Sequence, residues 1–242
     1  MLLPFFKINI FNKCIEYLHA FLHLFYPHLC LECGTDLLSS DSVLCIGCEN
    51  KLPFTDLFSI ENNIIEKIFW GRSAISAAGA SLFFTKDSIV QILIFELKYK
   101  QNKKAGWLLG RIIGSSIKDV ERFEKIDWLI PIPLSTKKER QRGFNQALII
   151  CEGIQQILPA LKIASSLKKK KATNSQTKKG RLQRSEHVDQ LFELHYAHVL
   201  KGANLLIVDD VITTGATLEA AHKCLWQGQP NSISIAAAAY TL

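Results

Sequence analysis

The sequence predicts an α/β protein: a parallel sheet with helices on both faces, plus a small N-terminal zinc-knuckle segment. Three observations carry this. Short apolar runs at 128–131, 204–208 and 232–238 have the composition of strands buried on both faces. Segments with helical periodicity lie between and around them. Four cysteines near the N-terminus form two CxxC pairs. With 242 residues, 48% hydrophobic and 21% charged, the chain suits one core domain with an appendage. The expected division is 1–58 for the appendage and 59–242 for the core domain.

The first stretch, 1–27, is apolar and aromatic, but Lys7, Lys13 and Glu16 interrupt it. Its uninterrupted run falls short of the ~20 residues of a membrane span, and no small-residue cleavage pattern follows. No transmembrane segment is expected. Leu18, Phe21, Leu22 and Phe25 share one helical face, which suits a helix packed on the domain. A membrane-surface or partner-binding helix is the alternative. His19 and His23 belong to no wider ligand pattern.

Cys30, Cys33, Cys45 and Cys48 follow, the two pairs separated by eleven residues. Two chelating turns on a small loop can place four thiolates around Zn²⁺. A closed set of four leaves no open position, so the metal would be structural and would stabilise a segment too small for a core. Gly34 and Gly47 beside the cysteines suggest turns with unusual backbone. Four unligated thiols, or disulfides, are the alternatives; Cys14, Cys151 and Cys224 show no paired spacing.

Residues 51–60, with Pro53, read as irregular, and 70–80 as partly strand-like. The segment 88–99 is a helix with an apolar stripe of Ile89, Ile92, Leu93 and Leu97. A second helix at 106–120 turns Leu108, Leu109, Ile112, Ile113 and Ile117 inward. Lys98, Lys100, Lys103 and Lys104 lie between them, either solvated or facing a ligand. A buried strand at 127–133 leaves through Pro131 and Pro133, which stiffen its exit. Arg140 and Arg142 stand before Gly143, and their guanidinium forks suit phosphate oxygens. Asn145 is placed to cap a helix at 147–158, with Gln146 orienting the loop.

The stretch 168–181 has no apolar periodicity and reads as a mobile basic loop, near 165–184. From 134 to 184 there are thirteen Lys or Arg and two acidic residues, a local +11 in a chain of net +7. This charge could close over a ligand, track a DNA backbone or stay solvated. A short extended piece at 192–195 precedes the strand 204–208.

That strand delivers Asp209 and Asp210, then a turn of Thr213, Thr214, Gly215, Ala216 and Thr217, then a helix at 218–223. Ligands gather at the carboxyl ends of parallel strands. A glycine turn converges backbone N–H groups on an anion, and the helix start adds to that field. Threonine hydroxyls donate to phosphate oxygens. Adjacent carboxylates accept from sugar hydroxyls or attract a hard cation such as Mg²⁺. The order describes a site for a phosphorylated, polyhydroxylated ligand. No GxSxG elbow, HExxH helix or GxxxxGK[ST] loop points to other chemistries.

The run LLIVDDVITTGAT resembles the signature of type I phosphoribosyltransferases, whose ligand is 5-phosphoribosyl 1-diphosphate. Together with the CxxC pairs, Leu97-Lys98-Tyr99-Lys100, Pro131-Ile132-Pro133-Leu134 and the run from Arg140 to Gln146, it resembles the ComF family, over about 24–242. Thr173, Gln176, Arg184 and Phe192 match a spaced family pattern, while His187 and Lys179 stand where the family usually has Asn and Leu. The resemblance implies a type I phosphoribosyltransferase-like sheet. It implies that Asp209 and Asp210 face the ribose hydroxyls and that residues Thr213 to Thr217 wrap the 5′-phosphate. Arg140, Arg142 and Mg²⁺ would attend the departing diphosphate, and the basic loop would close over the site. It further implies phosphoribosyl transfer to a nitrogen acceptor and a part in the uptake of single-stranded DNA during natural transformation. The setting would be cytoplasmic or peripheral at the inner face of the membrane, beside a competence helicase or inner-membrane DNA-uptake machinery. The alternative is a non-catalytic accessory protein that handles single-stranded DNA and keeps the pocket as a sensor or scaffold.

Overall fold

The computed structural model describes Phe25, 27–37, Ser39, 41–170 and 191–241. The expected helix at 18–25, apart from Phe25, lies outside the described residues, as do Cys14, Lys171, Thr173, Gln176, Lys179, Arg184 and His187. Two compact units are present, Met1–Asn50 and Lys51–Leu242.

In the smaller unit Leu29 bridges Asp36, and the Cys30 N–H donates to the Thr35 carbonyl at 2.8 Å. Gly34 closes that turn with φ +69°, a conformation that glycine tolerates best. Helix α1 (Ile46–Glu49) starts directly after Cys45. Gly47 lies inside that helix and is not among the positive-φ glycines, so the expected unusual backbone occurs at Gly34 alone of the two.

The larger unit carries a five-stranded sheet, β1-β7-β6-β2-β3, with every pairing parallel. Its strands are β1 (Ala78–Phe84), β2 (Trp128–Pro131), β3 (Lys162–Ile163), β6 (Asn204–Ile212) and β7 (Ser232–Thr241). A separate antiparallel pair joins β4 (Leu167–Lys169) to β5 (Phe192–Leu194). The helices are α2 (Ile64–Phe69), α3 (Ile89–Tyr99), α4 (Lys103–Ile117), α5 (Thr136–Arg142), α6 (Gln146–Ile157) and α7 (Ala216–Trp226). Leu205 and Ile207 of β6 and Ile233, Ile235 and Ala237 of β7 share one core with Leu218, Ala221 and Leu225 of α7 and Ile65 and Phe69 of α2. The opposite face takes α3, α4 and α6, which contact β1, β7, β6 and β2.

Side chains start most of these helices. Asn63, Ser88, Asn102, Ser135 and Asn145 each accept from a backbone N–H of the first turn. Asn102 explains why α4 begins three residues before the expected 106. The strands extend beyond expectation too: β6 runs on to Ile212 and β7 to Thr241. Of the strand-like stretch 70–80 only the end enters β1. Residues 51–58, expected with the N-terminal piece, pack on the sheet. Thr55 donates its N–H to the Ser81 carbonyl at 2.9 Å. The Phe58 ring fills the space over Gly79, where a Cβ would come within 2.4 Å of it.

Helices α4 and α6 cross at glycines. A Cβ on Gly110 would lie 2.1 Å from the Ile150 carbonyl oxygen, and one on Gly153 would lie 2.4 Å from that of Trp107. Flanking bonds fix the crossing: Trp107 Nε1 donates to Glu152 at 2.8 Å and Arg111 to Gln156 at 3.1 Å. The contact positions α6, and with it the turn that carries Arg142.

Candidate functional site

From β2 the chain moves outward to β3; from β6 it moves the other way to β7. The crevice between the carboxyl ends of β2 and β6 is therefore a topological switch point. Pro131 pairs with Val208, so the Ile132–Pro133 exit runs beside Asp209, which stays in the sheet opposite Ala237.

Neighbouring residues on a strand point to opposite faces. Asp209 and Asp210 are thereby separated, although the Asp210 N–H donates to Asp209 Oδ1 at 2.8 Å. Burial, and then the charge of Asp210, raise the Asp209 carboxyl to about 7, against the opposing pull of Lys98 and Lys169. Lys169 sits on β4 with its ammonium 5.8 Å from the centre of the Phe192 ring. Its amine is pulled down, first by burial and then by Lys138. The basic run is thus not uniformly a loop: Lys168 and Lys169 are in a strand, with Lys168 exposed and Lys169 partly buried. On the other face, Lys98 places its ammonium 2.9 Å from each oxygen of Asp210.

After Ile212 the chain forms a small cleft of about 50 Å³ lined by Asp209 and residues Val211 to Leu218. Gly215 adopts φ +72°, and a Cβ there would meet Ile68 and Phe69 at 2.9–3.0 Å. No side chain caps α7, so its first N–H groups face the turn. Behind the turn, Arg72 donates to the Thr214 carbonyl at 3.4 Å and to the Ile68 carbonyl at 3.1 Å, and pairs with Glu219.

Arg140 and Arg142 lie in the last turn of α5, a helix the periodicity does not announce because it buries no side chain. Gly143 ends it at φ +80°. Arg142 donates to Gln146 at 2.8 Å and lies 5.7 Å over the Tyr99 ring. With Lys98, Tyr99, Gln101, Lys138 and Gln141 it lines a pocket of about 270 Å³. Arg140 is exposed and lines none of these cavities. A third cavity, of about 370 Å³, opens beside Asp210 between α3 and the ends of β6 and β7. The Lys98–Asp210 pair and the support from Arg72 are additions to the sequence reading. Lys98 lies in the last turn of α3, and no local signal marks either contact.

In the smaller unit the four sulfurs of Cys30, Cys33, Cys45 and Cys48 lie within 4.8 Å of one another. Cys33 and Cys45 Sγ are 3.7 Å apart, close to the ~3.8 Å edge of a tetrahedron with 2.3 Å Zn–S bonds. Hydrogen bonds from Thr35 lower the Cys33 thiol to about 6, while burial and then the other thiols push Cys48 up to about 12. A dication would relieve that crowding of sulfurs, so the set fits structural zinc. Among the described residues, no helix is long and apolar enough to cross a membrane.

Residues 145–241 match the family model described as phosphoribosyl transferase domain. The chain is 23% identical over 217 residues to Competence protein F of Haemophilus influenzae, covering 83% of this chain and 92% of that one. It is 36% identical over 107 residues to Competence protein ComFC of Bacillus subtilis, covering 44% of this chain and 41% of that one. Among solved structures, it is similar to glutamine phosphoribosylpyrophosphate amidotransferase from B. subtilis, with 14% identity and a TM-score of 0.43 over 60% of this chain and 30% of that one.

Proposed function

We propose that this chain, a ComF-family protein with a phosphoribosyltransferase-type sheet, binds 5-phosphoribosyl 1-diphosphate and transfers its phosphoribosyl group to a nitrogen acceptor. The single observation that carries the reading is the joining of Asp209 and Asp210 to an uncapped helix start through the Gly215 turn, at the switch point of the sheet. Asp209 and Asp210 accept from the ribose hydroxyls. Thr213, Thr214 and Thr217, with the N–H groups around Gly215 and Ala216, hold the 5′-phosphate. Arg142 and Lys138 face the diphosphate; Arg140, exposed, reaches it only if α5 moves toward the ligand. Bound Mg²⁺ would neutralise diphosphate charge, and the two carboxylates supply the hard oxygens such an ion takes. In the transfer the bond from ribose C1 to the diphosphate oxygen breaks, the C1–N bond forms, and the acceptor nitrogen gives its proton to the departing diphosphate or to solvent. Charge stabilisation at the leaving group and positioning at C1 carry the rate.

The names of the relatives support a place in competence. Single-stranded DNA as the macromolecular partner is part of the proposal and rests on the basic stretch 134–184, as is a cytoplasmic or membrane-peripheral setting beside a competence helicase or uptake machine. A second reading is a pocket that senses its ligand without transferring it. Isothermal titration with 5-phosphoribosyl 1-diphosphate, with and without Mg²⁺, tests the proposal. Wild type should bind and should bind more tightly with Mg²⁺. Asp209→Ala/Asp210→Ala should weaken binding about tenfold or more, and Thr217→Ala less. No wild-type binding with Mg²⁺ defeats the assignment. Binding without diphosphate release across candidate acceptors selects the sensor reading.

A further inference from the structure

In the conformation described, both carboxylate oxygens of Asp210 are engaged by Lys98. Lys98 Nζ is 2.9 Å from Oδ1 and 2.9 Å from Oδ2, and both side chains are largely withdrawn from water, at 20% and 13% exposure. Neither a sugar hydroxyl nor a cation can use these oxygens fully while the ammonium bridges them. Lys98 also has somewhere else to go. It stands at the boundary of two cavities: the one of about 370 Å³ that contains Asp210, and the one of about 270 Å³ that contains Lys138 and Arg142. The second has three cations and no acid among its lining residues, so it is built for an anion of high charge.

We propose that Lys98 is a displaceable counter-ion: it neutralises Asp210 in the empty site and passes to the anionic part of the ligand when sugar or metal takes the carboxylate. This rests on the phosphoribosyl reading above and deepens it by coupling two of its subsites. Before binding, the pair keeps Asp210 from standing as an uncompensated, partly buried charge next to Asp209. On binding, one ammonium is exchanged between carboxylate and phosphate oxygens, so neither is left unpaired. Cation alone then meets competition from Lys98, whereas cation and anion together do not. Free metal is held weakly, and the metal–diphosphate complex tightly.

The test measures Mn²⁺ alone by electron paramagnetic resonance and 5-phosphoribosyl 1-diphosphate with Mg²⁺ by titration, on wild type and on Lys98→Gln, Lys98→Met and Lys98→Arg. Loss of the charge in the Gln and Met variants should tighten Mn²⁺ about fivefold or more and weaken the diphosphate ligand about tenfold. Lys98→Arg should follow wild type in both, and Asp210→Asn should abolish the Mn²⁺ gain. A purely structural role would weaken both ligands together and lower the melting temperature. Mn²⁺ affinity unchanged or reduced in the neutral variants, with melting intact, overturns the proposal. Wild type that takes Mn²⁺ but no diphosphate ligand defeats the phosphoribosyl reading instead, and the Mn²⁺ comparison still decides whether Lys98 guards Asp210.

Discussion

Asp209 shows how far a residue's environment can move its chemistry. Its carboxyl stands near 7 because burial, reinforced by Asp210, opposes ionisation. Between the ordinary carboxylate value of ~4 and about 7, the folded chain therefore holds a proton that the unfolded chain has lost. The sign follows: the contribution of Asp209 to stability falls as pH rises through that window and levels off above it. A ligand or cation that needs the ionised form behaves oppositely. Titration should show Mg²⁺-dependent affinity rising with pH up to about 7, with Asp209→Asn reducing the rise to the part set by the ligand's own phosphates, which ionise at about 6. The two aspartates were legible in the sequence as a pair. Their assignment to opposite faces follows from strand alternation once β6 is known to continue through them. The ammonium on Asp210 comes from a helix 112 residues away in sequence, and no local pattern encodes such a contact.

At the scale of elements, legibility tracked burial. Although Val90 and Ile94 are buried where the expected stripe had Ile92, which is only partly so, the bounds of helix α3 were readable almost to the residue. Helix α5 was not, because a short surface helix with no buried residue has no periodicity to display. The edge pairing of β4 with β5 was hidden for a related reason: lysines dominate β4, and its partner lies beyond a long basic run. The glycines of α4 and α6 are ordinary in sequence and decisive in packing. Gly110→Ala must push back main-chain atoms at 2.1–2.9 Å, for which rotamer change offers no relief. It should cost about 1–3 kcal/mol, read as a lower melting temperature, and by shifting α6 should also weaken binding in the Arg142 pocket.

Two predictions belong to the whole molecule. Elemental analysis should find about one zinc per chain, and Cys30→Ser or Cys48→Ser should lose it. Hydrogen exchange should then rise within 27–50 while the sheet of the larger unit stays protected; reduced, metal-free protein with unchanged exchange would remove zinc from the account. The second concerns the positive region. Single-stranded DNA should bind at low salt and release as salt rises. Replacing the exposed Lys168 and Lys170 with Gln should flatten that dependence. Replacing the partly buried Lys169, whose charge acts on Asp209, should leave the salt slope nearly unchanged and alter ligand binding instead.

The strand order has a consequence in time. Within the sheet β1 has one neighbour, β7, and the pairing sets Ala78 against Ile235. During synthesis β1 is completed early, and its partner is among the last described segments to emerge. Until then the buried run Ala78–Leu82 has an open edge and no strand to close it. Such long-range parallel pairing is slow to form and prone to aggregation while it waits. Sheet completion is therefore a late event that joins both ends of the larger unit in one step. A nascent chain lacking β7 leaves β1 detached from β6, so the strand bearing the aspartates is without its outer support until translation has passed well beyond the aspartates themselves.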